Sequence, residues 1–245
     1  MPSDAQVTIL PECARIDLGA EVPCLFPDPA GYAVSQALLV GPEGAPRVLV
    51  RYDPRRVARL GMRDRAYPAA LAKAYGASTL VFVVPAFDAE RAGPGAGIYV
   101  VRDHINLLGD NPLIGASDAS GSSRFLDLSG AYNADLRNEA LDRRTRNGLN
   151  IAECLYIGVK NFNEDAGRAV AALREFGPVL CGPWLVPEVI AARSRGVNVL
   201  AFACATGAQL AVDWAGEEEW YEELGRMARL AVSGREEARP YRMER

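Results

Sequence analysis

A polar stretch rich in glycine and asparagine, Arg102 to Gly115, carries the only histidine of the chain, His104. The ordinary pKa of a histidine lies near neutrality, so His104 is a candidate general base. A structural role for the same imidazole is the alternative. The stretch, which reads RDHINLLGDNPLIG, therefore either forms part of an active site or only supports one.

Other residues whose types could do chemistry lie elsewhere in the chain. Glu164 and Asp165 are adjacent carboxylates that could act as a general acid and base, although acidic residues are also favoured at a helix N-terminus. Cys13 could be a nucleophile on an exposed loop or an inert buried thiol. Arg51 could bind an anion or form an ion pair with Asp53.

The composition is that of an ordinary soluble protein, with 245 residues, 49% hydrophobic and 24% charged, and a net charge of -4. The sequence contains no stripe of basic residues, so we do not expect nucleic acid as a partner. The longest apolar runs, such as TLVFVVPAF, are far shorter than the ~20 residues of a membrane span. The N-terminus, MPSDAQVTIL, has no basic region, so we expect no signal peptide.

The five cysteines are odd in number and widely spaced, without the spacing of a metal site. This pattern predicts reduced thiols in a cytoplasmic protein, and we expect neither a metal nor an organic cofactor. The length favours one large domain, which we place at residues 1–235, followed by a charged tail at residues 236–245.

Short β-branched runs alternate with helical patterns, which predicts an α/β domain with a mostly parallel or mixed sheet. Several runs are apolar at consecutive positions, as in strands buried on both faces. Helical spacing is clear at 164–176, and Pro187 and Gly196 mark the start and end of another helix. A last helix is predicted over 216–232. The predicted strands are 7–10, 36–40, 47–52, 79–84, 97–103, 153–159 and 197–204.

Three separated motifs, DHINLLGDNPLIG, RFLDLSGAY and VPEVIAARSRGV, resemble those of the trimeric purine nucleoside phosphorylase and methylthioadenosine phosphorylase family. Their order and spacing match from about Leu80 to Leu230, whereas the first 75 residues match only in strand pattern. The resemblance implies a single three-layer α/β domain around a mixed, partly barrel-like sheet. It also implies cleavage of a purine nucleoside by phosphate through an oxocarbenium-like transition state, in a homotrimer.

The phosphate site implied by the resemblance is altered at two of its three positions. The loop after the first strand, normally Gly-Ser-Gly, reads ILPECAR and places Cys13 where the serine would be. Arg51 keeps the family arginine, but Asp53 stands at the histidine position. Trp184 replaces the serine that follows a methionine in the family. Because carboxylates disfavour a nearby anion, phosphate is a doubtful co-substrate.

The implied base and ribose sites are altered as well. Glu164 or Asp165 falls within a residue of the family glutamate that binds the purine, and Thr206 is kept while Gly207 replaces an amide or acid. Phe87 stands in a pocket wall that is normally small. Phe87 and Trp184 could fill vacated space or stack a planar ring.

Two tyrosines and a phenylalanine complete the candidate binding residues. Tyr32 lies in the loop DPAGYAVSQ, and Tyr221 falls near the family histidine beside the ribose 5′ position. Phe125 matches the phenylalanine that enters the neighbouring subunit's pocket. By the same resemblance, DHINLLGDNPLIG supports that interface, which makes His104 structural.

Three functions remain open on this pattern. One is a divergent enzyme that transfers a glycosyl group from a nucleoside-like ligand to phosphate, water or another acceptor. The second is a non-catalytic nucleoside-binding protein, or a partner subunit of an active paralogue. The third is a new biosynthetic reaction in the same cleft that uses Cys13, Asp53 and Asp165.

Overall fold

The computed structural model describes 6–11, 33–40, 46–52, 57, 59–87, 97–115, 125–147, 151–160 and 164–206. Eight strands form one sheet. They are β1 (Gln6–Pro11), β2 (Ala33–Val40), β3 (Pro46–Tyr52), β4 (Thr79–Phe87), β5 (Gly97–Asn106), β6 (Ile151–Gly158), β7 (Val179–Gly182) and β8 (Asn198–Thr206).

The sheet is mixed and part of it closes on itself. Its strand order is β2-β3-β1-β4-β7-β6-β5-β8, and β8 also pairs with β4. The β4–β8 pairing is parallel and continuous from Thr79 opposite Asn198 to Phe87 opposite Thr206. Strands β4, β7, β6, β5 and β8 therefore form a closed five-stranded barrel, and β1, β3 and β2 extend the sheet from β4. The predicted mixed, partly barrel-like α/β fold is confirmed.

Four α-helices pack around this sheet in the described part of the chain. They are α1 (Tyr67–Ala74), α2 (Ala134–Asn147), α3 (Glu164–Leu173) and α4 (Val186–Ser194). Short 3-10 helices precede α1 at Asp64–Ala66 and follow α3 at Arg174–Phe176. None of these helices is both long enough and apolar enough to cross a membrane.

Among the residues whose side chains are described, the core contains two apolar clusters on opposite faces of the strands, because successive side chains of a strand alternate between faces. The larger cluster includes Phe82, Tyr156 and Leu180 and packs against α1 and α4. The smaller cluster includes Ile157 and Cys181 and packs against α3. Strand β4 is buried at every position after Thr79, as its consecutive apolar residues predicted.

The structure corrects three local predictions. Residues 104–106, which lie beyond the end of the predicted strand 97–103, continue β5. The short strand β7 was not predicted at all. The helical pattern predicted over 164–176 includes Phe176 in its apolar set, but Phe176 is 57% exposed. The helix ends at Leu173, and the tighter 3-10 turn that follows rotates Phe176 off the apolar face.

Candidate functional site

The carboxyl-terminal residues of five barrel strands lie side by side in one row, the carboxyl edge, where the ends of β4 and β8 meet those of the oppositely directed strands β7, β6 and β5. Thr206 pairs with Phe87, and Phe87 pairs with Cys181 of β7. One residue further on, Gly182 pairs with Gly158, which in turn pairs with Asn106 of β5. The strand ends of β4 to β8 thus form a continuous row across which a ligand can contact several strands at once.

The predicted residue Arg51 belongs to the same edge. It is the last residue but one of β3 and pairs with Leu10 of β1. Strands β1, β3 and β4 are parallel, so their carboxyl ends point the same way. The structure therefore brings the ends of β3, β4 and β8, and with them Arg51, Phe87 and Thr206, to one side of the sheet.

Four predicted site residues, Cys13, Tyr32, Asp53 and Tyr221, lie outside the described residues. The prediction that they bind a ligand stays a prediction.

Phe87 and Trp184 are both buried, at 8% and 6% exposure, but they lie in different clusters. Phe87 packs beside Ile157 and Cys181 on the α3 side. Trp184 packs in the larger cluster, next to Gly182. In this arrangement each aromatic ring fills space within its own cluster, and the two rings do not face each other across one pocket.

The two adjacent carboxylates begin α3, where the chain leaves β6. Glu164 is the first residue of the helix and Asp165 the second. The side chain of Glu164 is 87% exposed and forms an ion pair with Arg168, one turn later. This arrangement fits the alternative that acidic residues are favoured at a helix N-terminus, and it ties the Glu164 carboxylate to a surface arginine.

Phe125 lies two residues before a contact with the last turn of α4. The next residue but one, Asp127, accepts a hydrogen bond through its carbonyl from Arg193 in the last turn of α4. Helix α4 follows the turn after β7 and is nine residues long, about 14 Å at 1.5 Å per residue. Phe125 is 97% exposed.

The turn between β7 and α4 was not predicted from the sequence. The backbone N–H of Val186 donates to the carbonyl of Trp184 at 3.0 Å, and Leu185 has φ 76° and ψ -54°. These values define a γ-turn, which is rare and strained. Positive φ in a leucine has no signature in sequence, because leucine seldom adopts it. Strain of this kind concentrates at functional sites.

The turn packs closely on the two glycines that end β6 and β7. A Cβ atom on Gly182 would lie 2.4 Å from the hydroxyl of Tyr156 and 3.2 Å from Cε3 of Trp184. A Cβ atom on Gly158 would lie 2.9 Å from Cγ2 of Val186. Neither position has room for a side chain, because neighbouring atoms approach both glycines closely. The turn covers the carboxyl ends of both strands.

His104 lies on β5 and pairs across the sheet with Tyr156 of β6. Its Nδ1 is 3.0 Å from the hydroxyl of the buried Tyr132. Burial lowers the pKa of the imidazole below its usual value, and the nearby Asp103 opposes this shift. A neutral imidazole held by a buried tyrosine matches the structural role that the resemblance implied.

The lowered pKa of His104 makes the stability of the protein depend on pH. As the pH decreases, His104 is protonated at a higher pH in the unfolded chain than in the folded chain. The free energy of unfolding is therefore unaffected by His104 above about pH 6.5 and falls as the pH decreases below that value. We expect urea unfolding to show this loss between pH 7.5 and 5.5. The His104→Gln variant should show a flatter profile, and an unchanged slope in that variant would assign the effect to other groups.

The fold matches solved structures of purine nucleoside phosphorylases. Isoform 2 of the Schistosoma mansoni enzyme, in complex with cytosine and ribose-1-phosphate, aligns with 94% of this chain and 88% of its own, with a TM-score of 0.72 and 20% identity. The Schistosoma enzyme in complex with guanosine aligns with 89% of this chain and 88% of its own, with a TM-score of 0.66 and 23% identity. These likenesses establish the fold.

Sequence relatives carry the same name. Purine nucleoside phosphorylase 1 of Geobacillus stearothermophilus is 33% identical over 138 residues, which are 56% of this chain and 50% of the relative. The Bacillus subtilis protein of that name is 31% identical over 147 residues, 60% of this chain and 54% of the relative. The matched part of the chain thus spans about half the length of these curated relatives.

The sequence pattern of the phosphorylase superfamily matches residues 15–234, which include all the strands from β2 to β8. The match therefore covers the barrel, its carboxyl edge and most of the extension of the sheet. This chain belongs to the phosphorylase superfamily, as a divergent relative of the purine nucleoside phosphorylases.

Proposed function

We propose that this protein binds a nucleoside-like ligand at the carboxyl edge of the barrel and transfers its glycosyl group to an acceptor. The observation that carries the proposal is the convergence of strand ends that places Arg51, Phe87 and Thr206 on one side of the sheet. Relatives and structural neighbours named purine nucleoside phosphorylases support the ligand class. Breaking the glycosidic bond would leave an oxocarbenium-like sugar for the acceptor to attack and a purine-like base to depart.

The identity of the acceptor depends on what replaces the altered phosphate ligands. Trp184 stands at the position of the family serine, and its side chain is only 6% exposed. A buried indole has no hydroxyl to offer an anion in the cleft. Arg51 is the one family cation kept at this edge. We therefore favour a weakened phosphate site, with water or another acceptor as the alternative to phosphate.

A second candidate function is non-catalytic nucleoside binding, alone or as the partner subunit of an active paralogue. Two observations favour it. The carboxylate of Glu164, one of the two residues that could take the family glutamate position, forms an ion pair with Arg168 on the surface. Trp184 fills core space where a ligand-binding serine would stand. The first ties up a carboxylate that the chemistry would use, and the second fills the place of a hydroxyl group with a buried ring.

The proposed assembly is a homotrimer in which Phe125 of one subunit completes the cleft of the next. Its support is the 97% exposure of Phe125, two residues from the contact of Asp127 with the last turn of α4. Sedimentation of the purified chain should give the mass of a trimer. We also propose a cytoplasmic location, on the ground that Cys154, Cys181 and Cys204 are buried as thiols.

The decisive experiment measures base release from inosine, guanosine, adenosine and methylthioadenosine, each with and without phosphate. Free base is separated by chromatography, and binding of each nucleoside is measured by calorimetry on the same preparation. Arg51→Met is the test variant, and Arg59→Met, which removes an exposed arginine, is its matched control. If Arg51 binds phosphate as the acceptor, Arg51→Met should lose phosphate-dependent release of the base, and Arg59→Met should keep it.

Each result assigns a function. Release that requires phosphate and Arg51 identifies a phosphorylase and removes the doubt about its phosphate site. Release without phosphate identifies a hydrolase. Binding without release supports the non-catalytic role. Neither binding nor release across the four nucleosides contradicts the proposal.

A further inference from the structure

The strained turn between β7 and α4 needs a structural support, because it is costly by itself. Leu185 has φ 76° and is 1% exposed. A non-glycine residue in such a conformation costs about 1–3 kcal/mol and persists only when its surroundings enforce it. The N–H of Val189 donates to the carbonyl of Leu185 at 2.9 Å, which joins the turn to the first turn of α4.

A buried ion pair meets the chain directly after this turn. Glu188 follows Pro187 in the first turn of α4, and its carboxylate forms an ion pair with Arg65. The guanidinium donates from Nε to Oε1 at 2.8 Å and from Nη2 to Oε2 at 3.2 Å. A bidentate arginine–carboxylate pair fixes orientation as well as distance. It therefore specifies where the start of α4 lies.

Arg65 comes from a distant part of the chain. It lies in the 3-10 helix Asp64–Ala66, directly before α1, and is separated from Glu188 by 123 residues. Arg65 is 2% exposed and Glu188 1%, and both are charged. A fully buried ion pair is often no better for stability than apolar packing. Its geometry, which apolar side chains would not reproduce, is the property that distinguishes it here.

The ion pair lies close to the strand ends beneath the turn. Burial raises the pKa of Tyr156 well above its usual value, and Cys181 and Glu188 raise it further, while Arg65 acts in the opposite direction. Glu188 itself lies three residues after Leu185, in the first turn of α4. The Tyr156 hydroxyl, for which the described residues offer no hydrogen-bond partner, is close to the Gly182 position, and so is the ring of Trp184, which begins the turn. Tyr156 and the turn residues Trp184–Val186 thus belong to one buried cluster, and the pair is joined to it through the start of α4.

We propose that Arg65 and Glu188 are positioning residues that hold the turn Trp184–Val186 in its strained form and thereby shape the ligand cleft without touching the ligand. The proposal rests on the proposed function for its second half only. The first half, that the pair holds the turn, concerns the protein itself. Removal of the pair should let Leu185 relax toward an ordinary backbone conformation and displace Trp184.

The test uses Trp184 as a local reporter. The chain has three tryptophans, so Trp214→Phe and Trp220→Phe leave Trp184 as the only emitter. In that background, Arg65→Met combined with Glu188→Leu replaces the pair by apolar side chains, which keeps the core filled. We expect a red shift of Trp184 emission and stronger quenching by acrylamide in the folded protein. Glu188→Gln, which keeps the shape and removes the charge, should shift emission in the same direction.

A matched control separates positioning from stability. Arg137 and Glu153 form another ion pair between two elements, α2 and β6, at the amino end of β6. Arg137→Met combined with Glu153→Leu should leave Trp184 emission unchanged, whatever it does to the unfolding midpoint. If the double variant at Arg65 and Glu188 fails to fold, Glu188→Gln supplies the same comparison. Unchanged Trp184 emission and quenching in a folded variant overturn the proposal.

Nucleoside binding tests the second half. With the turn displaced, we expect inosine and guanosine to bind about tenfold more weakly or worse, since small misplacements of a site are costly. Shifted emission with unchanged affinity would show that the pair holds the turn but does not shape the cleft. If the parent protein binds no nucleoside, the proposed function fails, while Trp184 emission still decides whether the pair holds the turn.

Discussion

Replacing Gly182 by alanine is expected to lower the free energy of unfolding by about 3 kcal/mol, the upper end of the usual cost of overpacking a core. The new methyl group would lie 2.4 Å from the Tyr156 hydroxyl and 3.2 Å from the Trp184 ring. Real Cβ atoms do not approach other atoms so closely, so the strand end or the turn must shift. Urea unfolding, with the midpoint and slope fitted together, measures this loss.

The same contact predicts a rescue. Tyr156→Phe removes the atom nearest to the added methyl group, so the double variant Gly182→Ala/Tyr156→Phe should recover part of the lost stability. Recovery should be incomplete because the Trp184 ring remains at 3.2 Å. Tyr156→Phe alone should be neutral or stabilising, since the described residues offer that buried hydroxyl no partner. Additive effects of the two substitutions would contradict this geometry.

Gly61→Ala is the matched control for the glycine substitution. A Cβ atom there would lie 3.5 Å from Oδ2 of Asp64, an ordinary van der Waals contact. Alanine at this position should change stability by well under 1 kcal/mol. If Gly182→Ala proves as stable as Gly61→Ala, the turn does not lie against the ends of β6 and β7 as described.

Breaking the buried ion pair on one side is expected to cost more than removing both charges. Arg65→Met leaves the buried Glu188 carboxylate without its bidentate partner, and loss of one member of such a pair typically costs about 3–5 kcal/mol. The double variant Arg65→Met/Glu188→Leu leaves no buried charge. Its unfolding free energy should therefore lie close to that of the parent protein, even though the turn is displaced.

An exposed pair provides the contrast. Arg168→Met removes the partner of Glu164 on the surface of α3, where both side chains are largely exposed. Such pairs contribute about 0.3–0.5 kcal/mol in a helix. Chemical denaturation of the three variants and the parent should separate these effects clearly. A single variant at Arg65 that is as stable as the double variant would show that the Glu188 carboxylate finds another partner.

The strands were predictable to the extent that each had a run of β-branched residues. Seven of the eight strands were found in this way, with ends that differ by a few residues. Strand β7 was missed because it has only four residues, VLCG, and ends in a glycine that reads as a loop. The start of α4 was predicted from Pro187, and its end from Gly196, which has φ 71°.

The site was predictable only where residue type and local order carry the information. The resemblance assigned Arg51, Phe87 and Thr206 to family site positions, and the strand order that brings their strand ends together comes from the structure. The partnership of Arg65 with Glu188 joins positions 123 residues apart and leaves no local pattern. The requirement for glycine at 182 is equally non-local, because it arises from the Tyr156 hydroxyl.

The closure of the barrel has a consequence for the synthesis of the chain. Strand β8 pairs with both β4 and β5, and it is the last strand of the ring to leave the ribosome. Until Asn198–Thr206 emerge, β4 and β5 each present an unpaired edge to the surrounding solution, and such edges promote aggregation. Nascent chains that stall before residue 198 are therefore the species most in need of a chaperone, and the ring forms only once translation of the barrel is complete.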